Sequence, residues 1–231
     1  MHQLTNKKKI VIFLIFLLVL LSSLNNKNLT KYNSDLFKIK SIKINGLDNE
    51  KYEKKIVNAL NYLNNENLIF LDKDKLTKIL NNFNFLNNFS VFKNYPKRII
   101  VNLEQASLVA IYYNNGNQYY IGSNGKILNS EDVSNGSFNL PKVYGKFKTS
   151  ELINLMNLLN KNHIKFNSIE TIFYFESKRW DLQLKNNILI RLPNIDIDIA
   201  IELAKKIIED DQFNEKIIDL RVANQVIINN E

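Results

Sequence analysis

The alternation of apolar and polar positions divides the chain into recognisable elements. An unbroken apolar run, Ile10–Leu21, comes first, and no charge occurs from Ile10 until Lys27. As a helix, that uncharged stretch would span about 25 Å, close to a bilayer core of about 30 Å. Ile10, Leu14, Leu17 and Leu21 therefore mark an expected transmembrane signal anchor over residues 10–26, with residues 1–9 as a cytoplasmic tail. The polar, Asn/Lys-rich stretch 27–36 reads as a linker. Phe37, Ile39, Ile42 and Ile44 form a strand-like segment closed by Asn45-Gly46. Tyr52, Ile56, Val57, Leu60 and Leu63 recur at helical spacing, with Asp48 as the expected cap. Asp74 is expected to cap a second helix, in which Leu76, Ile79, Leu80 and Phe83 share a face. Phe89 and Val91 suggest a strand, Tyr95-Pro96 a turn, and Ile99, Val101 and Leu103 alternate on another strand. The order is strand, helix, helix, strand, strand.

The second half reads differently. Two strands flank the Asn124-Gly125 turn. Leu152, Leu155, Met156 and Leu159 make a helical apolar face. Ile217–Val222 and Gln225–Ile228 are apolar, strand-like runs near the end of the sequence. The fold class expected is α+β: one N-terminal transmembrane helix, a mixed unit over 37–105, and a mainly antiparallel β domain with flanking helices over 106–231.

Composition narrows the chemistry. The 231 residues contain no cysteine, which excludes disulfides and thiolate metal sites. The only histidines are His2 and His163, so a multi-histidine metal site is excluded and a Ser-His-Asp triad has one possible histidine. No P-loop, Gly-rich cradle or metal-ligand spacing occurs. No cofactor, no metal and no catalytic residue are expected. Lys+Arg number 31 against 23 Asp+Glu, a formal charge of +8, and Lys reads as spread along the chain. No nucleic-acid partner is expected from that. Lys7, Lys8 and Lys9 before the apolar run favour a cytoplasmic N-terminus. The rival is a cleaved signal peptide, with Leu21 and Ser23 at its −3 and −1 positions; leucine suits −3 poorly. Asp196, Asp198, Glu202 and Asp210-Asp211 flank an amphipathic helix as caps and exposed charges. His163 reads as a solvated helix-end residue and Met156 as core. Trp180, alternating with Leu182 and Leu184, is a core residue or an interface aromatic. Asp219 and Arg221 share one strand face, as a local ion pair or as part of a docking surface.

The order of these motifs resembles that of the FtsQ/DivIB family of bacterial cell-division proteins. Ile42-Lys43-Ile44-Asn45-Gly46, Asn67–Asp72 and Val91–Ile99 are similar to that family's POTRA domain, which makes 37–105 POTRA-like. Glu104-Gln105-Ala106-Ser107 stands where the family usually has an acid, a basic residue and a proline, and lacks the last two. Leu140–Gly145, Trp180–Ile188 and Ile217–Arg221 resemble the family's Leu-Pro-x-x-x-Gly strand, its Trp-containing hairpin and its "hydrophobic-Asp-Leu-Arg" strand.

The resemblance implies a single-pass, non-enzymatic division-site scaffold in the inner membrane, linking early and late division proteins at the septum. It implies FtsB-like and FtsL-like partners, and docking of the FtsB-like one by strand addition to the last strands. By position, the expected docking residues are Arg221, Val222, Ala223, Asn224, Gln225, Val226 and Ile227. Lys178 and Arg179, beside Trp180, match a basic patch offered to an acidic partner residue. The alternatives are a POTRA-containing protein of export or outer-membrane assembly, and a secreted hydrolase.

Overall fold

The computed structural model describes residues 6–23, 35–133, 138–208, 216–222 and 225–230. It is α+β and divides into two compact units. Unit 1 holds Met1–Asn45, Lys54–Ile79 and Ser90–Asn102; unit 2 holds Gly46–Glu53, Leu80–Phe89 and Leu103–Glu231. The division sorts charge. Unit 1 carries sixteen Lys and Arg against four Asp and Glu, and unit 2 carries fifteen against nineteen. The positive excess is therefore not spread along the chain; it belongs to unit 1.

The apolar run forms α1 (Asn6–Ser23). This corrects the expected transmembrane segment: among the described residues no helix is long and apolar enough to cross a membrane. Lys7, Lys8 and Lys9 fall inside the helix, and its charge-free part, Ile10–Ser23, is about 21 Å long, against a hydrocarbon core of about 30 Å. Ile10, Leu14, Leu17 and Leu21 lie on α1 with exposed side chains. Residues 24–34, where the span was expected to end and the linker to begin, lie outside the described residues.

In unit 1, β1 (Ser41–Asn45) pairs in parallel with β3 (Arg98–Gln105), Ile42 opposite Ile99 and Ile44 opposite Val101. β3 is also bonded to β2 (Leu86–Asn94), giving the order β1-β3-β2. Phe37 and Ile39 do not extend β1. Their backbone bonds to Leu68 and Glu66 instead, at 2.8 and 2.9 Å. Two helices complete the pattern, α2 (Glu50–Leu60) and α3 (Lys73–Asn81). Both caps differ from expectation by position. Asn49, not Asp48, accepts the Lys51 N–H at 2.9 Å, and Asp72, not Asp74, accepts the Lys75 N–H at 3.0 Å. Each stands directly before the first helical residue, where a side-chain oxygen reaches the free N–H groups of the first turn. Asp74 already lies inside that turn.

Unit 2 contains one nine-stranded sheet. Its strands are β4 (Leu108–Asn114), β5 (Asn117–Gly122), β6 (Ile127–Asn129), β7 (Lys142–Tyr144), β8 (Ile169–Tyr174), β9 (Trp180–Leu184), β10 (Leu189–Arg191), β11 (Lys216–Asp219) and β12 (Ile227–Asn230). The order across the sheet is β12-β11-β10-β9-β8-β7-β4-β5-β6. Three pairings are parallel (β4–β7, β7–β8 and β10–β11) and the others are antiparallel. Two of the parallel crossovers run through helices, α4 (Thr149–Lys161) and α5 (Ile197–Ile208), as parallel neighbours require. Both helices bury one apolar stripe on the same sheet face. Leu152, Leu155 and Leu159 of α4 and Ile201, Ala204 and Ile207 of α5 share a core with Tyr112, Val143, Ile172, Leu182, Ile190 and Ile218. Those six sheet residues stand in one register row across β4, β7, β8, β9, β10 and β11. Gly145 ends β7 at φ +109°, and a Cβ there would lie 2.2 Å from the Tyr174 carbonyl oxygen. Only glycine fits this approach of two backbones.

A candidate docking edge

β12 is the outermost strand of the sheet, and its only described sheet neighbour is β11. The pairing is antiparallel, with Asp219 opposite Ile227 and Ile218 opposite Ile228. The far side of β12 is thus a sheet edge, whose outward N–H and C=O groups are open to another strand. The edge is apolar: Val222 is 47% exposed and Ile227 41%, and Val226 and Ile228 are close behind. The turn before it is fixed by a bond from Gln225 N–H to Val222 O, 3.2 Å. Ala223 and Asn224 lie outside the described residues.

A charged row runs up to this edge. Asp181 on β9 is register partner of Arg191 on β10, which is partner of Asp219 on β11. The row lies one pleat from the apolar row, on the opposite face of the sheet. Arg191 reaches both carboxylates at ion-pair distance, 3.8 Å to Asp181 and 3.9 Å to Asp219. Arg221 closes the row. Its backbone N–H donates to Asp219 Oδ1 at 3.1 Å and its Nε at 2.8 Å, while its Nη2 donates to Oδ2. Hydrogen bonding from Arg221 holds the Asp219 carboxyl below the usual carboxylate range. The same pairing raises the Arg221 guanidinium.

Asp181 behaves oppositely. Burial pushes its carboxyl up, against the pull of Arg179, Arg191 and Arg221. Arg179 Nε lies 3.7 Å from Asp181 Oδ1, beyond hydrogen-bond range, and both atoms are buried without a hydrogen-bond partner. The Arg179 guanidinium sits over the Phe175 ring instead, 4.4 Å from its centroid.

The structure places five of the ten docking residues expected from sequence at one edge of the sheet. Arg221, Val222, Gln225, Val226 and Ile227 border the open edge. Lys178 is exposed at φ +59° in the turn before β9, with Arg179 following it. Trp180 points inward: it is 4% exposed, packs 4.5 Å from Tyr174 and 5.6 Å from Phe147, and belongs to the core. Asp181 and Arg191 were missed from sequence. Their signal was an acid and an arginine set beside the apolar residues of Trp180–Leu184 and Leu189–Arg191.

Fold and edge define an α+β protein with an open-edged mixed sheet. Among the described residues, no group of His, Cys, Asp and Glu could hold a metal ion. Residues 110–221, most of that sheet and both its helices, match the model of the cell division protein FtsQ/DivIB C-terminal domain. Over those residues, just under half of its length, the chain is similar to the FtsQ/DivIB family of cell-division proteins. It is 26% identical over 200 residues to a protein named cell division protein FtsQ from Bradyrhizobium diazoefficiens, covering 85% of this chain and 58% of that one. A protein of the same name from Rickettsia typhi is 24% identical over 195 residues, 83% of this chain and 72% of that one. The chain thus spans little more than half of the Bradyrhizobium relative. The solved extracytoplasmic domain of DivIB from Geobacillus stearothermophilus aligns with 42% of this chain and 87% of its own, at 11% identity and a TM-score of 0.32.

Proposed function

We propose that this protein is a division-site scaffold that works by contact, docking an FtsB-like protein of the FtsB–FtsL pair by adding a strand of the partner to β12. The single observation that carries this reading is the open, apolar outer edge of β12 at the border of the sheet. Main-chain hydrogen bonds along such an edge supply affinity, and exposed side chains such as Val222 and Ile228 supply specificity. Lys178 and Arg179 add positive charge near β9, which steers an acidic partner segment and raises its association rate.

The test is a titration of the full chain, in mild detergent, with the matching segment of the organism's FtsB-like protein. Proline at Val226 removes a backbone donor directly before the edge strand. The expected outcome is at least about a tenfold loss of affinity, about 1.4 kcal/mol, with an unchanged circular dichroism spectrum. Unchanged affinity in the folded Val226→Pro variant sinks strand addition at β12. Arg179→Glu should slow association and flatten its salt dependence; an association rate that keeps its salt slope removes the steering role.

A further inference from the structure

We propose that unit 1 carries a second interaction surface, one that docks on a lipid bilayer rich in anionic headgroups. This inference is independent of the β12 reading, because it rests on different residues in the other unit.

The surface is built around the loop that joins α2 to α3. Phe70, at the loop's tip, is 82% exposed, and Ile69 beside it is 44% exposed. The loop is tied down by hydrogen bonds. Asn67 Oδ1 accepts the Ile69 N–H at 2.9 Å, and Lys93 Nζ donates to the Ile69 carbonyl at 2.9 Å. The Leu68 N–H bonds to Phe37 O at 2.8 Å, which brings the segment before β1 alongside. Phe37 in turn meets Tyr95 edge to face, ring centroids 6.2 Å apart. Tyr95 is 55% exposed and Leu36 51%. One side of unit 1 therefore offers several large apolar side chains on a fixed frame of backbone bonds.

Cations stand on the same segments. Lys40 N–H bonds to Lys97 O at 2.9 Å, so those two residues are neighbours, and Lys93 and Lys38 flank the loop, Lys38 paired with Asp35. Between Asp35 and Asn102, the unit 1 segments hold eleven Lys and Arg against four Asp and Glu. Charge asymmetry between two parts of one chain points to an extended charged partner. Two chemical features select the bilayer. A phenyl ring projecting from a loop tip needs a fluid apolar phase to enter, whereas a folded protein partner would need a preformed pocket for it. Scattered lysines with long apolar stems suit a diffuse sheet of negative headgroups.

The absence of cysteine makes a direct test possible. The full chain carrying Phe70→Cys is labelled with a polarity-sensitive fluorophore, and a companion chain is labelled at Glu176→Cys in unit 2. Each is mixed with vesicles of phosphatidylcholine alone and with vesicles of phosphatidylcholine and phosphatidylglycerol in equal parts. The apolar helix α1 can bring the chain to either vesicle, so co-sedimentation is not the readout; the environment of the label is. The Phe70 label should shift to shorter wavelength only with phosphatidylglycerol present, and the Glu176 label should not shift. Lys40→Gln and Lys97→Gln should each raise the anionic-lipid concentration needed for half the shift, by roughly fivefold per cation. The proposal is overturned by a Phe70 label that stays in water on both vesicles, by equal shifts on both, or by a Glu176 label that shifts as well. A shift produced by polyglutamate but not by vesicles also overturns it, and reassigns the surface to an acidic protein.

Discussion

The two ends of the nine-stranded sheet solve the same problem in opposite ways. Both β6 and β12 are short outer strands with exposed isoleucines. At β6 the edge is closed by side chains. Asn84 Nδ2 donates to the Ile127 carbonyl at 2.9 Å, taking an acceptor that a foreign strand would need. Asn124, in the turn leading into β6, donates to the Asn84 and Leu86 carbonyls at 3.0 and 2.8 Å, tying that segment to the sheet. At β12 the described residues provide no comparable cover, and the exposed side chains are Val226, Ile227 and Ile228. One edge is blocked with amides; the other is left apolar and open, as the proposed strand addition requires.

The strongest way to break this contrast is Asn124→Ala. Asn124 makes three hydrogen bonds, the third from Lys126 N–H to its Oδ1 at 3.0 Å. At about 1 kcal/mol each, their loss should destabilise the chain by about 2–3 kcal/mol, read as a lower denaturant midpoint. Affinity for a partner at β12 should be unchanged under conditions where the variant remains folded. A variant as stable as the parent would mean that the amides merely decorate the β6 edge.

The contrast was only half legible in the sequence. The apolar run at Gln225–Ile228 stood out because β-branched residues close to an end of the sequence are visible in any window. The covered edge did not, because Asn84 and Asn124 are forty residues apart and look like two more asparagines in an Asn-rich chain. The same limit hid Asp181 and Arg191, whose meaning depends on the register that sets β9, β10 and β11 side by side. Local signals fared better. The helical face Leu152-Leu155-Leu159 and the Asn124-Gly125 turn follow from short-range spacing alone, whereas the close approach of Gly145 to Tyr174 depends on the pairing of β7 with β8. The apolar run of α1 predicts a helix, but the structure ends it at Ser23 and takes Lys7, Lys8 and Lys9 into it, so its charge-free part is shorter than the uncharged stretch of sequence.

A second test sharpens the contrast at the β12 side through pH. The Asp219 carboxyl lies below its ordinary range in the folded chain, because Arg221 bonds its charged form. Its stabilisation is therefore complete above the unfolded value of about 3.9 and is lost as pH falls through the lower, folded pKa. Asp181 has the opposite sign. Burial raises its folded pKa, so the folded chain holds that proton longer, and stability falls as pH rises from the unfolded value to the folded one. Asp219→Asn should cost about 1–2 kcal/mol at neutral pH and leave an acid limb governed by Asp181. Asp181→Asn should steepen the loss of stability toward low pH. Denaturant melts from about pH 3 to pH 7 distinguish the two variants, and matching profiles would show that the row does not couple to folding.

The smallest effect expected is at the β6 side, from Lys126→Ala. Its Nζ donates to the Asn81 carbonyl at 3.2 Å from a solvent-accessible position. Its backbone N–H, which bonds Asn124, is untouched by the substitution. An exposed contact of this kind is worth no more than about 0.5 kcal/mol. The value matters because it separates two ways of closing an edge. If Lys126→Ala is nearly silent while Asn124→Ala is costly, β6 is closed by amides seated between strand and neighbouring segment. If the two cost the same, charge holds that edge, and the difference from β12 is then one of electrostatics rather than of backbone acceptors already taken.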